Sequence, residues 1–426
     1  MTTGALLLLC SLFLGMGVFE NGGLFSVFAL LWMTLGFVSI LLATLGYLRK
    51  IRIPIAPPDE LMLVCALLFF LYIRMFQLPN AFLSENSNFA LVFYATYCLL
   101  IVLLCCAFFF VPRAHALKWV TLGIGLVIAL VLRVWLLPAS PAPKIDVFSA
   151  ATYAMQHFFS NGKSPYLPDD SGIIPFYYPP SNVYLQALSY GIFHDIRAIY
   201  VACEAVFAGL LWHAGRRSMG SIGAGLLALL FLFQPFSITV LEMGWTEPPI
   251  LTFLALSLFF FGRGKRTGAA IAYGYAISLK QYLLFFLMHW FLLEKKPKRF
   301  AIMLIAAVAT VVPFLFFDPG NMIHYGFVQT LTGGDVRTDS LTFVTLLFLT
   351  TGVVLPRITS VLIGAVASAA TFFAFRKSSP IPAFLFSSAL TTFALFLFGA
   401  QAFTNYYYIV SGLVLMGIAW QGEETA

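Results

Sequence analysis

A lysine and a glutamine, Lys280 and Gln281, interrupt the otherwise apolar stretch AYGYAISLKQYLLFFLMHW (residues 272–290). A charge at the centre of a membrane-length run costs about 2.5–3.5 kcal/mol on insertion scales, and such residues are functional by default. Other side chains able to do chemistry gather in four more segments. Asp146 directly follows an apolar run in PKIDVFSAATY, and Tyr178 belongs to a YYPP element. Glu242 and Glu247 lie in QPFSITVLEMGWTEPP, and His324, Asp335, Arg337 and Asp339 in residues 318–340. Asn405 and Tyr407 belong to GAQAFTNYYYIV. A wet, partly buried carboxylate can take a proton from a hydroxyl. Lys280, Arg337 and His324 suit an anionic phosphate, and tyrosines beside amides suit a sugar ring, with its apolar faces and many donors. Each residue also has a plainer reading. Asp146 can cap a helix, the tyrosines can form an interfacial belt, and Arg337 between Asp335 and Asp339 can be a surface ion-pair cluster. No single motif is specific. Gathered at one membrane face, carboxylate, cations and aromatics fit group transfer from a lipid phosphate.

The elements that must position these groups are membrane helices. The chain has 426 residues, 61% hydrophobic and only 10% charged, with a mean hydropathy of +0.94, outside the range of water-soluble domains. Apolar runs recur at about 4–19, 24–48, 60–78, 88–111, 117–137, 198–214, 220–241, 248–262, 267–293, 300–317, 354–375, 381–399 and 403–420. The expected fold is an all-α polytopic bundle of about 12–14 membrane helices, including one short hairpin. The net charge of +7 does not indicate nucleic acid, because the basic residues gather in short loops. RKIR (49–52), Arg113 with Lys118, RR (216–217), RGKR (263–266), KKPKR (295–299) and RK (376–377) are expected at the cytoplasmic face. All six cysteines lie in apolar runs, without metal-type spacing. No N-glycosylation sequon occurs, and residues 4–19 read as a first membrane helix rather than a cleaved signal. These features fit a bacterial inner (plasma) membrane.

The same charge rule bears on Lys280. RGKR and KKPKR are only 28 residues apart, yet both read as cytoplasmic. One crossing cannot return the chain to its starting side, and two passes of about 13 residues reach only ~20 Å each. A short hairpin with its tip near Ser278–Gln281 satisfies both clusters; one straight helix with Lys280 paired to a carboxylate is the alternative. Beyond residue 137 a loop of roughly 60 residues (138–197) opens, by parity on the external side. Within it Asp146–Phe159 reads as an amphipathic helix with Val147, Ala150, Ala151, Ala154, Met155 and Phe158 on its apolar face. A second helix is expected over 182–193, capped by Ser181. The chain divides into four N-terminal membrane helices (1–116) and a module over 117–420 that carries the loop.

On these residues the chain resembles a known group. KIDVFSAATYAMQHFFSNGKSPY followed by YYPPSNVYLQ is similar to the first external loop of GT-C glycosyltransferases. Within that superfamily it is most similar to glycosyltransferase family 87 and, more distantly, to the GPI-anchor mannosyltransferases. GYAISLKQYLLFF resembles the family's short hairpin with a lysine at its external turn, and TDSLTFVTLLF and FTNYYYIVSGL resemble its later external segments. The resemblance spans about 117–420. It implies a membrane enzyme that uses a polyprenyl-phosphate sugar, mannose or similar, as donor and a lipid or glycan hydroxyl as acceptor. It implies Asp146 as general base and Lys280 near the lipid phosphate. Gln281, Arg337, His324, Glu247, Tyr178, Asn405 and Tyr407 are the expected substrate contacts. No cofactor is expected; with Lys144-Ile145-Asp146 in place of a paired acidic motif, a divalent metal has no support. The contrasting expectation is a transporter or flippase for a lipid-linked or anionic substrate, although the hairpin has no counterpart in the first half of the chain.

Overall fold

The computed structural model describes residues 1–77, 87–143, 145–168, 176–329 and 337–421. Asp335 and Lys144 lie outside them. Helix α1 (Thr3–Asn21) is capped by the Thr2 side chain, which accepts from the Ala5 amide at 3.2 Å. Helix α2 (Val27–Tyr47) is capped likewise by Ser26, from the Ala29 amide at 2.9 Å. Such caps satisfy amides that have no partner inside the helix. Three further long helices follow: α3 (Glu60–Gln77), α4 (Ser87–Cys105) and α5 (His115–Ala139). Then come two helices of the long loop, α6 (Asp146–Asn161) and α7 (Pro180–Phe193).

Helix α8 (Ala198–Phe233) is two arms joined at Gly220, whose φ of 72° is left-handed and open to glycine at little cost. Helices α9 (Ser237–Glu242) and α10 (Glu247–Gly262) lead to α11 (Arg266–Ile277), a 3₁₀ segment at Gln281–Leu287 and α12 (Trp290–Leu293). The apolar run at 300–317 is divided into α13 (Pro297–Ala309) and α14 (Val312–Phe317), ahead of α15 (Pro319–Ile323). Helices α16 (Phe343–Thr351), α17 (Ile358–Phe375), α18 (Pro380–Phe398) and α19 (Thr404–Ala419) complete the bundle.

Among the described residues seven helices are long and apolar enough to cross a membrane, and Glu247–Gly262 and Gln281–Leu293 are shorter apolar segments. The chain is an all-helical, multi-pass membrane protein. Among the described residues the runs at 248–262, 267–293 and 300–317 fold as short or broken helices, so fewer helices are long enough to span than the sequence has apolar runs.

The basic clusters collect at one end. Lys118 pairs with Glu60 at 2.8 Å, the Thr3 amide donates to the Pro54 carbonyl at 2.9 Å, and Tyr47 stacks against Phe386 with centroids 5.0 Å apart. Arg263 meets His213 at 3.3 Å, and Arg299 bonds Thr267. The other end carries the loop helices, the hairpin tip and the start of α19. There the Phe25 amide donates to the Asp339 carbonyl at 2.9 Å, and the Leu341 amide to the Ala402 carbonyl at 2.9 Å. One continuous apolar core runs from α1 to α19. A smaller core at the loop end gathers Phe148, Met155, Tyr166, Phe176, Tyr178, Phe314 and Met322, which fastens α6 and α7 to α14 and α15.

The hairpin is present. The Tyr273 hydroxyl donates to the Phe286 carbonyl at 2.6 Å, and the rings of Tyr273 and Trp290 lie 5.1 Å apart. In one straight helix, 17 positions would separate those rings by about 25 Å.

Two local expectations are corrected. Arg74 and Arg133 lie in the sequence near the outer ends of apolar runs, where a long side chain is expected to snorkel, yet neither reaches an interface. Arg133 is buried against Glu204 at 2.6 Å, and Glu204 also accepts from the Tyr408 hydroxyl at 2.7 Å. Arg74 is buried and donates to the Pro235 carbonyl at 2.9 Å. A charge so placed must be paired and hydrogen-bonded, because burial without partners is prohibitive. Ser181 is not a cap for α7, which begins at Pro180 with no side-chain cap; its hydroxyl bonds the hairpin instead.

Candidate functional site

The hairpin breaks because α11 ends at Ile277 and Lys280 is extended, with φ −151° and ψ 142°. This turn carries the lysine into a cage. Its ammonium donates to Glu247 Oε1, the first residue of α10. Asn405, in the first turn of α19, donates its Nδ2 to the same oxygen at 2.8 Å. Three aromatic faces close the rest: Tyr406 at 5.0 Å, Tyr178 at 5.3 Å and Tyr282 at 5.7 Å from the ammonium. Each distance is within the roughly 6 Å over which a ring's negative face attracts a cation. Lys280 is 4% exposed and Glu247 wholly buried, so the charge is balanced by one carboxylate and three ring faces. Glu247 Oε2 and Asn405 Oδ1 are buried with no protein partner. They point to a site with acceptor capacity in reserve.

Asp146 is the first residue of α6, exposed, with its Oδ1 accepting from the Val147 amide at 2.8 Å. Its charge is felt by two loop-end groups. Tyr177 is pushed above the usual phenol range, chiefly by burial and next by Asp146. The Arg337 guanidinium is held above its ordinary value by its hydrogen bonds to Asp339 and further by Asp146. Arg337 forks onto both oxygens of Asp339 at 2.9 Å and covers the Phe403 ring at 4.7 Å. The rings of Tyr177 and Tyr178 lie 4.9 Å apart. The paired rings of Tyr177 and Tyr178 adjoin the cage, and Asp146 and Arg337 both act electrostatically on Tyr177.

The remaining expected contacts fall elsewhere. Tyr407 is buried with its hydroxyl on the Leu341 carbonyl at 2.6 Å. His324 is exposed in a π-helical turn, edge-on to Tyr325 at 4.7 Å, apart from the cage. Gln281 donates from Nε2 to the Gly326 carbonyl at 2.6 Å, tying that turn to the hairpin. Tyr406 and Tyr282, which the sequence did not single out, supply two of the cage's three faces. The only hint was their adjacency to Asn405 and Gln281. No three His, Cys, Asp or Glu side chains among the described residues cluster as a metal site would require.

A buried ammonium can neutralise an anion, and an exposed carboxylate such as Asp146 can accept a proton. No protein-family model matches the chain, and no curated protein does. Among solved structures it is similar to ArnT from Cupriavidus metallidurans bound to undecaprenyl phosphate, with 18% identity and a TM-score of 0.47. That likeness covers 71% of this chain and 60% of the other, so the chain spans about 60% of the length of that protein.

Proposed function

We propose that the chain is a membrane glycosyltransferase of the GT-C type. It would move a sugar, mannose or similar (a hexose or pentose), from a polyprenyl-phosphate donor to a hydroxyl of a lipid or glycan acceptor at the external face. The observation that carries this reading is the placement of Lys280. A buried lysine stands at the tip of a broken membrane helix inside a tyrosine and carboxylate cage, at the end of the bundle that holds Asp146. An ammonium has three N–H donors, and Glu247 takes one of them. The others have capacity for phosphate oxygens.

In the proposed reaction Asp146 takes the proton of the acceptor hydroxyl as that oxygen attacks the anomeric carbon from the face opposite the phosphate. The bond from the anomeric carbon to the phosphate oxygen breaks, its electron pair stays on that oxygen, and polyprenyl phosphate departs with the anomeric configuration inverted. The leaving phosphate is acidic enough to need no proton from the protein. Lys280, supported by Arg337, stabilises the charge that grows on it, where low local polarity strengthens each interaction. Glu247 and Asn405 set the lysine's position and offer acceptors to sugar hydroxyls.

Incubating the reconstituted protein with a panel of radiolabelled polyprenyl-phosphate sugars tests the reading. The expected result is label moved onto an acceptor with release of polyprenyl phosphate. Movement of the intact lipid across the bilayer with no label transferred would overturn it in favour of transport.

A further inference from the structure

A helix that ends inside a membrane protein leaves carbonyls without partners, and they must be satisfied by other parts of the chain. At the tip of the hairpin α11 does this only in part. The Ser278 amide returns to the Gly274 carbonyl and the Leu279 amide to the Ala276 carbonyl, each at 3.1 Å. The carbonyls of Ser278 and Leu279, immediately before Lys280, are met by two side chains of the long loop. Ser181 Oγ lies 2.8 Å from the Ser278 carbonyl, and Asn182 Nδ2 donates to the Leu279 carbonyl at 2.6 Å. Ser181 Oγ is also 2.6 Å from Ser278 Oγ and 3.0 Å from Thr310 Oγ1 at the end of α13. The Tyr275 hydroxyl donates to the Ser181 carbonyl at 3.1 Å. Ser181 and Asn182 are both wholly buried.

We infer that Ser181 and Asn182, the two residues after YYPP, are positioning residues for Lys280. They end α11 at the residue that turns the lysine into its cage, and they lock the hairpin tip to the loop that starts at Asp146. Through them the Asp146 loop and the Lys280 hairpin move as one body. The inference rests on the proposed function only for what Lys280 does; the clasp itself is geometric. Ser181 and Asn182 act through Lys280. Their effect is on where the ammonium sits, and displacements of an ångström at such a group are costly.

The test uses the full-length protein in lipid nanodiscs with the variants Asn182→Leu, Ser181→Ala and Ser181→Thr. Two readouts are taken: KM and kcat for a polyprenyl-phosphate sugar, and the labelling rate of Lys280 by a small amine-reactive reagent, read by mass spectrometry. Displacing the ammonium by the loss of one buried hydrogen bond should lower kcat/KM for the donor about tenfold, with kcat falling as well. Lys280, protected in its cage, should label faster in Asn182→Leu and Ser181→Ala. Ser181→Thr, which keeps the hydroxyl, should restore the wild-type kcat/KM and protection. Unchanged Lys280 labelling in Asn182→Leu would overturn the inference. So would losses that follow only the folded fraction, with Ser181→Thr no better than Ser181→Ala. If the unaltered protein transfers no sugar, the proposed function fails, and the labelling still decides the clasp.

Discussion

Lys280 and Glu247 are a buried pair in which each charge depends on the other. Removing one partner leaves an uncompensated charge, at a typical cost of about 3–5 kcal/mol, whereas replacing both can be nearly neutral. Lys280→Met should therefore lower the unfolding temperature markedly, and Lys280→Met with Glu247→Gln should recover most of it. Neither variant should regain affinity for a polyprenyl-phosphate donor. A thermal melt in detergent beside a donor-binding assay checks both halves; a fully active double variant would contradict the phosphate role. At this scale the charged residues were legible one by one, since a lysine or glutamate in an apolar run is conspicuous. Their partners were not. Tyr406 and Tyr407 are neighbours in TNYYY, and consecutive helical residues point about 100° apart. Only Tyr406 faces the ammonium, while Tyr407 turns its hydroxyl to the Leu341 carbonyl. A sequence does not state the rotation of its helix.

The hairpin was legible at the scale of elements, because two basic clusters on the same side of the membrane leave too few residues for two full crossings. The devices that hold it were not, since they join residues far apart in sequence. Arg197 shows the same at the loop's other edge. It is buried and donates to the carbonyls of Leu137 at 3.1 Å, Ser140 at 2.8 Å and Glu242 at 3.2 Å, while pairing with Asp195 at 2.7 Å. One guanidinium thus staples the entry of the loop to its exit. Arg197→Ala should destabilise by about 3 kcal/mol or more and open the loop to limited proteolysis within 138–197. Arg197→Lys should recover little, since an ammonium lacks the planar fork. A second contact fixes the hairpin against α13. A Cβ at Gly274 would collide with the Met303 carbonyl of α13, the close approach that small residues permit between membrane helices. Gly274→Ala should push α11 off α13 and lower the unfolding temperature, whereas Gly268→Ala, with side-chain contacts no closer than 3.4 Å, should be tolerated.

For the whole molecule, composition made the all-helical membrane class plain, and the gathering of basic clusters agreed with the bundle's geometry. The internal ion pair of Arg133 and Glu204 joins positions 71 apart, and nothing in the sequence names either residue's partner. The polarity of the bundle gives a direct prediction. With the native cysteines replaced by alanine, Lys163→Cys in the long loop and Lys265→Cys in the basic cluster should react with a membrane-impermeant thiol reagent from opposite sides. Labelling of both from one side would contradict the arrangement. Asp146, at the same end of the bundle as the Lys280 cage, is the proposed base of the sugar transfer. Asp146→Asn changes the charge and little of the shape, so the most direct measurement is its turnover with a polyprenyl-phosphate sugar at equal protein level. Loss of the transferase product, with donor binding and unfolding temperature retained, is the predicted result; full turnover in Asp146→Asn would contradict the account.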